Sequence, residues 1–139
     1  MRVVFADTGY WIALSNPRDS LHTPARELSR ARRPAHLVTS EMVLTEYLND
    51  FSRRGGFLRR AASTLVQQLR RNPNATIVPQ TTAQFWEAVS MYAARGDKPW
   101  SQTDCASFRI MQEWRLSDAL THDRNFEQAG FKALLRNDG

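Results

Sequence analysis

The chain has a single cysteine, Cys105, among 139 residues. One thiol forms no internal disulfide and supplies no thiolate cluster, so cysteine-based zinc sites and redox pairs are excluded. Histidine is nearly as sparse: His22, His36 and His122 are too scattered to suggest the acid–base pair of a metal-free ribonuclease. No glycine-rich loop of the P-loop or dinucleotide type occurs, which leaves nucleotide-dependent chemistry without support. Long apolar runs are missing too. Each hydrophobic stretch is only a few residues long, too short for a transmembrane helix. The opening Met-Arg-Val-Val-Phe-Ala-Asp7 has one basic residue and an apolar stretch cut short by an acid, the pattern of neither a signal peptide nor a transit peptide. The expected location is the cytoplasm, with no membrane partner.

What is present is ordinary globular composition, 42% hydrophobic and 24% charged, at a length common for one domain; a single domain over residues 1–139 is expected. The formal net charge of +5 is unevenly placed: residues 21–75 hold ten Arg against four acids, while the remainder carries nine basic and ten acidic groups. A basic region points toward a polyanion such as nucleic acid. Arg outnumbers Lys 17 to 2, however, and a bias toward Arg in composition gives the same excess.

Strand and helix signals alternate along the chain. Val3-Val4-Phe5-Ala6, closed by Asp7-Thr8-Gly9, has the pattern of a buried strand ending in a turn. The short apolar stretch Tyr10 to Leu14 precedes a break at Ser15-Asn16-Pro17, and a polar helix is expected from Asp19 or Ser20 to about Arg33, ended by Pro34. Leu37 to Thr39 reads as a second strand, with Ser40 capping a helix whose stripe is Leu44, Tyr47, Leu48 and Phe51. Gly55-Gly56 stops it. A further helix groups Leu58, Ala61, Ala62, Leu65 and Leu69 and leaves Arg59, Arg60 and Arg70 largely on the other side. Ala75 to Val78 makes a third strand, Thr81 or Thr82 caps a helix to Ala94, and Ser101 caps another to about Arg115. Ala119 to Thr121 is a fourth strand and Phe131 to Leu135 a weaker fifth. The alternation implies a mostly parallel sheet of four or five strands with helices on both faces, whose ligands collect beyond the carboxyl ends of the strands.

Acids stand at those ends. Asp7 follows the first strand and Asp123 the fourth, so one sheet edge would receive both, although capping or an Asx-turn is the commoner job for such an Asp. Asp104 shares a helical stripe with Phe108 and Met111, the side that should face the core, where an acid needs a partner; Ser101 to Asp104 also approximates a capping box. Glu46 lies off the stripe of its helix and faces either a cleft or water. Converging carboxylates repel one another, and a hard divalent cation relieves the repulsion. Oxygen-only ligands suit Mg²⁺ or Mn²⁺, which bind phosphate oxygens and acidify water for in-line attack on a phosphodiester.

The acids stand within four pieces: Phe5-Ala6-Asp7-Thr8-Gly9-Tyr10-Trp11, Ser40-Glu41-Met42-Val43-Leu44-Thr45-Glu46, Trp100 to Phe108, and Ala119-Leu120-Thr121-His122-Asp123-Arg124-Asn125-Phe126. In these pieces, and in their order and spacing, the chain resembles the PIN-domain ribonucleases and, within them, the VapC-type toxins of type II toxin–antitoxin pairs. The resemblance covers essentially the whole chain. It implies a PIN-like α/β/α sandwich and a metal-dependent endoribonuclease in which Asp7, Glu46, Asp104 and Asp123 hold Mg²⁺ or Mn²⁺. By it Asp7 and Asp104 match the positions most often in direct contact with metal, Glu46 and Asp123 complete the site through water, and Thr8 and Thr121 match supporting hydroxyls. It further implies an antitoxin partner that seats a peptide in the active-site groove, and a homodimer. Asn125 stands where relatives often have His, a departure that leaves all four acids in place.

Arg53, Arg54, Arg59 and Arg60 are candidates for holding the RNA backbone; a solvated helix face is the competing reading. His122 is expected to point away from Thr121 and Asp123 by strand alternation, as a structural residue. Cys105 reads as a small buried side chain, and Asp97 as a loop acid. Two alternatives to the toxin remain: a PIN-fold RNA-processing nuclease without an antitoxin, and a non-cleaving RNA-binding module. Four retained acids count against the second, because phosphate binding alone favours neutral or basic side chains.

Overall fold

The computed structural model describes residues 2–31 and 35–136. Its central sheet has five strands: β1 (Arg2–Ala6), β2 (Ala35–Ser40), β3 (Ala75–Val78), β4 (Asp118–Leu120) and β5 (Lys132–Ala133), in the order β3-β2-β1-β4-β5. Every neighbouring pair is parallel, so all carboxyl ends lie at one edge. The helices of the described residues are α1 (Thr8–Ser15), α2 (His22–Ala31), α3 (Glu41–Phe51), α4 (Gly56–Arg71), α5 (Thr82–Ala94), α6 (Gln102–Glu113) and α7 (Arg124–Gln128), followed by a 3₁₀ turn at Leu134–Arg136.

Successive strand residues point to opposite faces, and Val4, Phe5 and Ala6 are each wholly buried, so β1 is covered on both sides. This is the α/β/α sandwich that the sequence implies. Because β1 lies between β2 and β4, the strand order reverses beside it and opens a crevice beyond its carboxyl end. Asp7 is the residue that enters that crevice. A second packing unit anchors α6: Phe108 meets Trp100 at 5.0 Å and Phe126 at 4.9 Å, ring to ring and edge-on. Phe108 lies one turn beyond Asp104, so this cluster fixes the level at which Asp104 enters the crevice. Phe108→Ala is expected to cost about 3–5 kcal/mol.

Several boundaries differ from the sequence reading. The segment after Asp7 is a helix, α1, whose Tyr10, Trp11 and Ala13 are buried; it has no polar face, and therefore no period to read. The polar helix begins at His22 because Asp19 first closes a turn, accepting a hydrogen bond from the Leu21 N–H at 2.9 Å. Its expected end at Arg33 and Pro34 lies outside the described residues. Leu48, assigned to the buried stripe of α3, is 38% exposed, whereas Leu44, Tyr47 and Phe51 are buried. Gly55 caps the start of α4 with φ of 87°, a conformation that favours glycine, so the glycine pair opens one helix more than it closes another. Helix α6 stops at Glu113 ahead of Arg115, whose φ is 56°. The fourth strand ends at Leu120, not Thr121, and β5 is only two residues long.

Candidate active site

The chain's chemistry gathers in one pocket of about 520 Å³ at the switch point, lined by Asp7, Thr8, Gly9, Glu46, Pro99, Ser101, Asp104, Thr121, His122, Asp123 and Asn125. All four sequence-assigned acids and both supporting hydroxyls are among them. Each acid arrives on a different element. Asp7 follows β1 directly and is 7% exposed. Glu46 comes from α3, which starts without a connecting loop because Ser40, the last residue of β2, caps it by accepting from the Val43 N–H at 3.1 Å. Asp104, 8% exposed, lies in the first turn of α6. Asp123 follows β4 and begins α7.

The competing readings of these acids turn out to be compatible. Asp104 closes a capping box with Ser101: its Oδ2 accepts from the Ser101 N–H and its own N–H donates to Ser101 Oγ, both at 3.0 Å. Asp123 caps α7, its Oδ1 accepting from the Asn125 N–H at 2.9 Å. Capping fixes each carboxylate while leaving it on the pocket wall. The two hydroxyls act likewise. Thr8 Oγ1 donates to Glu46 Oε1 at 2.7 Å, which explains how an acid off the apolar stripe is held toward the cleft. Thr121 Oγ1 donates to Asp7 Oδ2 at 2.9 Å and accepts from the Asp123 N–H at 3.1 Å.

Burial decides the electrostatics. The Asp7 carboxyl is pushed up to about 7, first by loss of water and then by the Asp104 and Asp123 charges, against the lowering effect of the Thr8 N–H and the Thr121 hydroxyl. Asp104 is raised as well, again mainly by burial, with hydrogen bonds from Ser101 and Asn125 opposing and the Asp123 charge adding to the shift. Carboxyls that resist ionisation beside one another lack a positive charge, and an oxygen-only donor set is what Mg²⁺ or Mn²⁺ takes. Among the described residues no three His, Cys, Asp or Glu side chains close into a compact ligand group. The pocket is an open oxygen-lined one, which suits a cation that keeps several of its waters, as Mg²⁺ does.

Residues outside the four acids depart from the sequence reading in two places. His122 is exposed and is among the residues lining the pocket; residues 121–123 lie past the end of β4, where strand alternation no longer applies. Asn125 proves to touch an acid: its Nδ2 donates to Asp104 Oδ2 at 2.9 Å. The only signal for it in the sequence was its departure from the His of relatives. Asp97 is an exposed loop acid paired with Arg95 at 3.0 Å, as expected, and Cys105 is buried.

The four candidate RNA-binding arginines are exposed around the α3–α4 junction, and none lines the acidic pocket. Arg54 pairs with Asp50 at 2.8 Å, and Arg59 donates to the Ser52 carbonyl at 3.2 Å. No helix among the described residues is long and apolar enough to cross a membrane.

Comparison with known proteins agrees with this fold. A profile of the PIN domain matches residues 4–132. The chain is 31% identical over 130 residues to the 23S rRNA-specific endonuclease VapC20 of Mycobacterium tuberculosis, covering 93% of this chain and 95% of that protein. The crystal structure of that VapC20, described as a sarcin–ricin loop cleaving toxin, superposes with a TM-score of 0.82 at 28% identity, over 92% of this chain and 95% of the other. FitAcB from Neisseria gonorrhoeae, at 18% identity over 94% and 95% of the two chains, shares the fold with a TM-score of 0.59.

Proposed function

The chain belongs to the PIN-domain family, and on that premise we propose that it is a Mg²⁺- or Mn²⁺-dependent endoribonuclease that hydrolyses RNA phosphodiester bonds as the toxin of a type II toxin–antitoxin pair. The observation that carries this reading is the convergence of Asp7, Glu46, Asp104 and Asp123 on one pocket at the sheet's switch point, each held by a hydroxyl or a cap. A nucleic-acid-binding module has no use for four carboxylates facing a polyanion.

Asp7 and Asp104 are the residues that would hold the ion, being the deepest of the four and the ones whose ionisation most needs a counter-charge. The ion, when bound, supplies the positive charge that a scissile phosphate needs and acidifies the attacking water. The protein's own residues do the rest. Thr121 keeps Asp7 oriented. Thr8 occupies Glu46 Oε1, so Glu46 Oε2 is the atom left to take a hydrogen bond from water. Asp123 is tied to the start of α7 through Oδ1, which fixes its distance from Asp7 and Asp104.

The substrate class follows from the relative with matching length: structured ribosomal RNA, with the sarcin–ricin loop as the first target to test. Arg53, Arg54, Arg59 and Arg60 would grip its backbone away from the acids. With it we propose an antitoxin partner and a homodimer, as the resemblance to the VapC-type toxins implies, and a cytoplasmic site of action. The test is to incubate the protein with 23S rRNA in Mg²⁺, Mn²⁺ or EDTA and to map the ends. Metal-dependent cuts with 5′-phosphate and 3′-hydroxyl ends are expected; undiminished cutting in EDTA, or 2′,3′-cyclic phosphate ends, contradicts the reading.

A further inference from the structure

Two N–H donors converge on one oxygen of Asp104. The Ser101 backbone N–H reaches Oδ2 at 3.0 Å and Asn125 Nδ2 reaches the same atom at 2.9 Å. Asp104 Oδ1 takes no hydrogen bond from the described residues, and it is not sealed from solvent, since the buried side-chain atoms without a partner among them are Ser107 Oγ and Arg109 Nε. It is therefore the oxygen open to the pocket.

We propose that Asn125 is a positioning residue of the acidic pocket: its side-chain amide pins Oδ2 of Asp104 so that Oδ1 is the single oxygen presented to the metal. The inference rests on the metal-dependent reading above and adds a residue to it.

Asn125 is itself held in place by its own element. Its backbone N–H donates to Asp123 Oδ1, and the next residue, Phe126, is wholly buried against Phe108 one turn beyond Asp104. The amide and the ring thus clamp α7 to α6 at adjacent levels, and Asn125 joins two of the four acids through separate bonds. An amide suits the task. It donates without carrying a charge and keeps its proton at every pH the protein meets, whereas an imidazole donates through a given nitrogen in only one neutral tautomer. A carboxylate pinned before the ion arrives has no rotation left to lose on binding, and outer partners of this kind commonly change metal affinity by about 10–100-fold.

The experiment is Mn²⁺ binding by electron paramagnetic resonance on the full chain, comparing wild type with Asn125→Leu, Asn125→Ala and Asn125→His, each first melted in EDTA. Asn125→Leu fills similar space without a donor, and Asn125→Ala is too short to reach Oδ2. Both are expected to melt cooperatively and to bind Mn²⁺ about 10–100-fold more weakly. Their RNA cleavage should recover toward the wild-type rate as Mn²⁺ is raised to saturation, and Asn125→His, with a ring N–H, should recover part of the affinity. Wild-type Mn²⁺ affinity in either donorless variant overturns the positioning role and leaves the metal site standing. A wild-type protein that binds no Mn²⁺ overturns the metal site, and this inference with it.

Discussion

Thr121 Oγ1 lies 2.9 Å from Asp7 Oδ2 although 114 residues separate the two in sequence. One buried hydroxyl joins the ends of the two strands that flank the crevice and also receives the Asp123 N–H. Thr121→Val keeps the shape and removes both bonds. It is expected to destabilise the metal-free protein by about 1–3 kcal/mol, because a buried carboxyl and a part-buried N–H lose partners together. Urea denaturation checks the stability, and a Mn²⁺ titration should register about a tenfold or greater loss of affinity.

The raised Asp7 carboxyl gives a definite sign to two pH dependences. The native protein holds a proton up to about pH 7 that the unfolded chain releases near 3.8. Without metal, Asp7 therefore contributes stability at low pH that declines as pH rises from about 4 to 7 and is flat above. Metal binding needs the ionised form, so Mn²⁺ affinity should strengthen about tenfold per unit as pH rises toward 7 and then level. Asp7→Asn should abolish metal binding and leave the apoprotein at least as stable as wild type at pH 8. Denaturation curves and Mn²⁺ titrations at pH 5, 6, 7 and 8 measure both effects, and a wild-type affinity independent of pH contradicts them.

What could be read in advance depended on whether a residue's job leaves a local pattern. Strand β1 and the caps Ser40, Thr81 and Ser101 are short-range features, and the structure has them where the sequence expects them. Helix α1 was invisible because it is apolar all round, and α7 because five residues hold too little periodicity. In the site, Asp7, Asp104 and Asp123 stand at element ends and so announce themselves. Glu46 is mid-helix and off the stripe; what turns it into the pocket is Thr8, 38 residues away, a contact no window along the chain contains. Asn125 looked incidental for the same reason, since its partner Asp104 is 21 residues back. The exposed Leu48 and His122 record the opposite failure, a local period extended past the point where tertiary packing stops honouring it.

The four arginines at the α3–α4 junction are exposed, so replacing Arg53, Arg54, Arg59 and Arg60 together by Gln should leave the fold intact. RNA affinity should fall, and the slope of log affinity against log salt should flatten by roughly 0.7 for each lost phosphate contact on single-stranded RNA. Arg54 already has Asp50 as a partner, so its share should be the smallest. An unchanged salt slope identifies the region as a solvated face.

Asp104 both caps α6 and faces the pocket, so it is the acid at which a metal ligand and a plain helix cap part most clearly. Asp104→Asn retains an oxygen to accept from Ser101 and Asn125 while removing the charge that a divalent cation needs. The decisive measurement is ribosomal RNA cleavage in Mn²⁺ by wild type and Asp104→Asn side by side, with thermal melting of both in EDTA. The variant is expected to melt at or above the wild-type temperature, since one of several repelling carboxylates is gone, and to cut no RNA. A variant that cleaves at the wild-type rate per folded molecule, with stability lowered by about 0.5–2 kcal/mol, would show that Asp104 is a helix cap and nothing more.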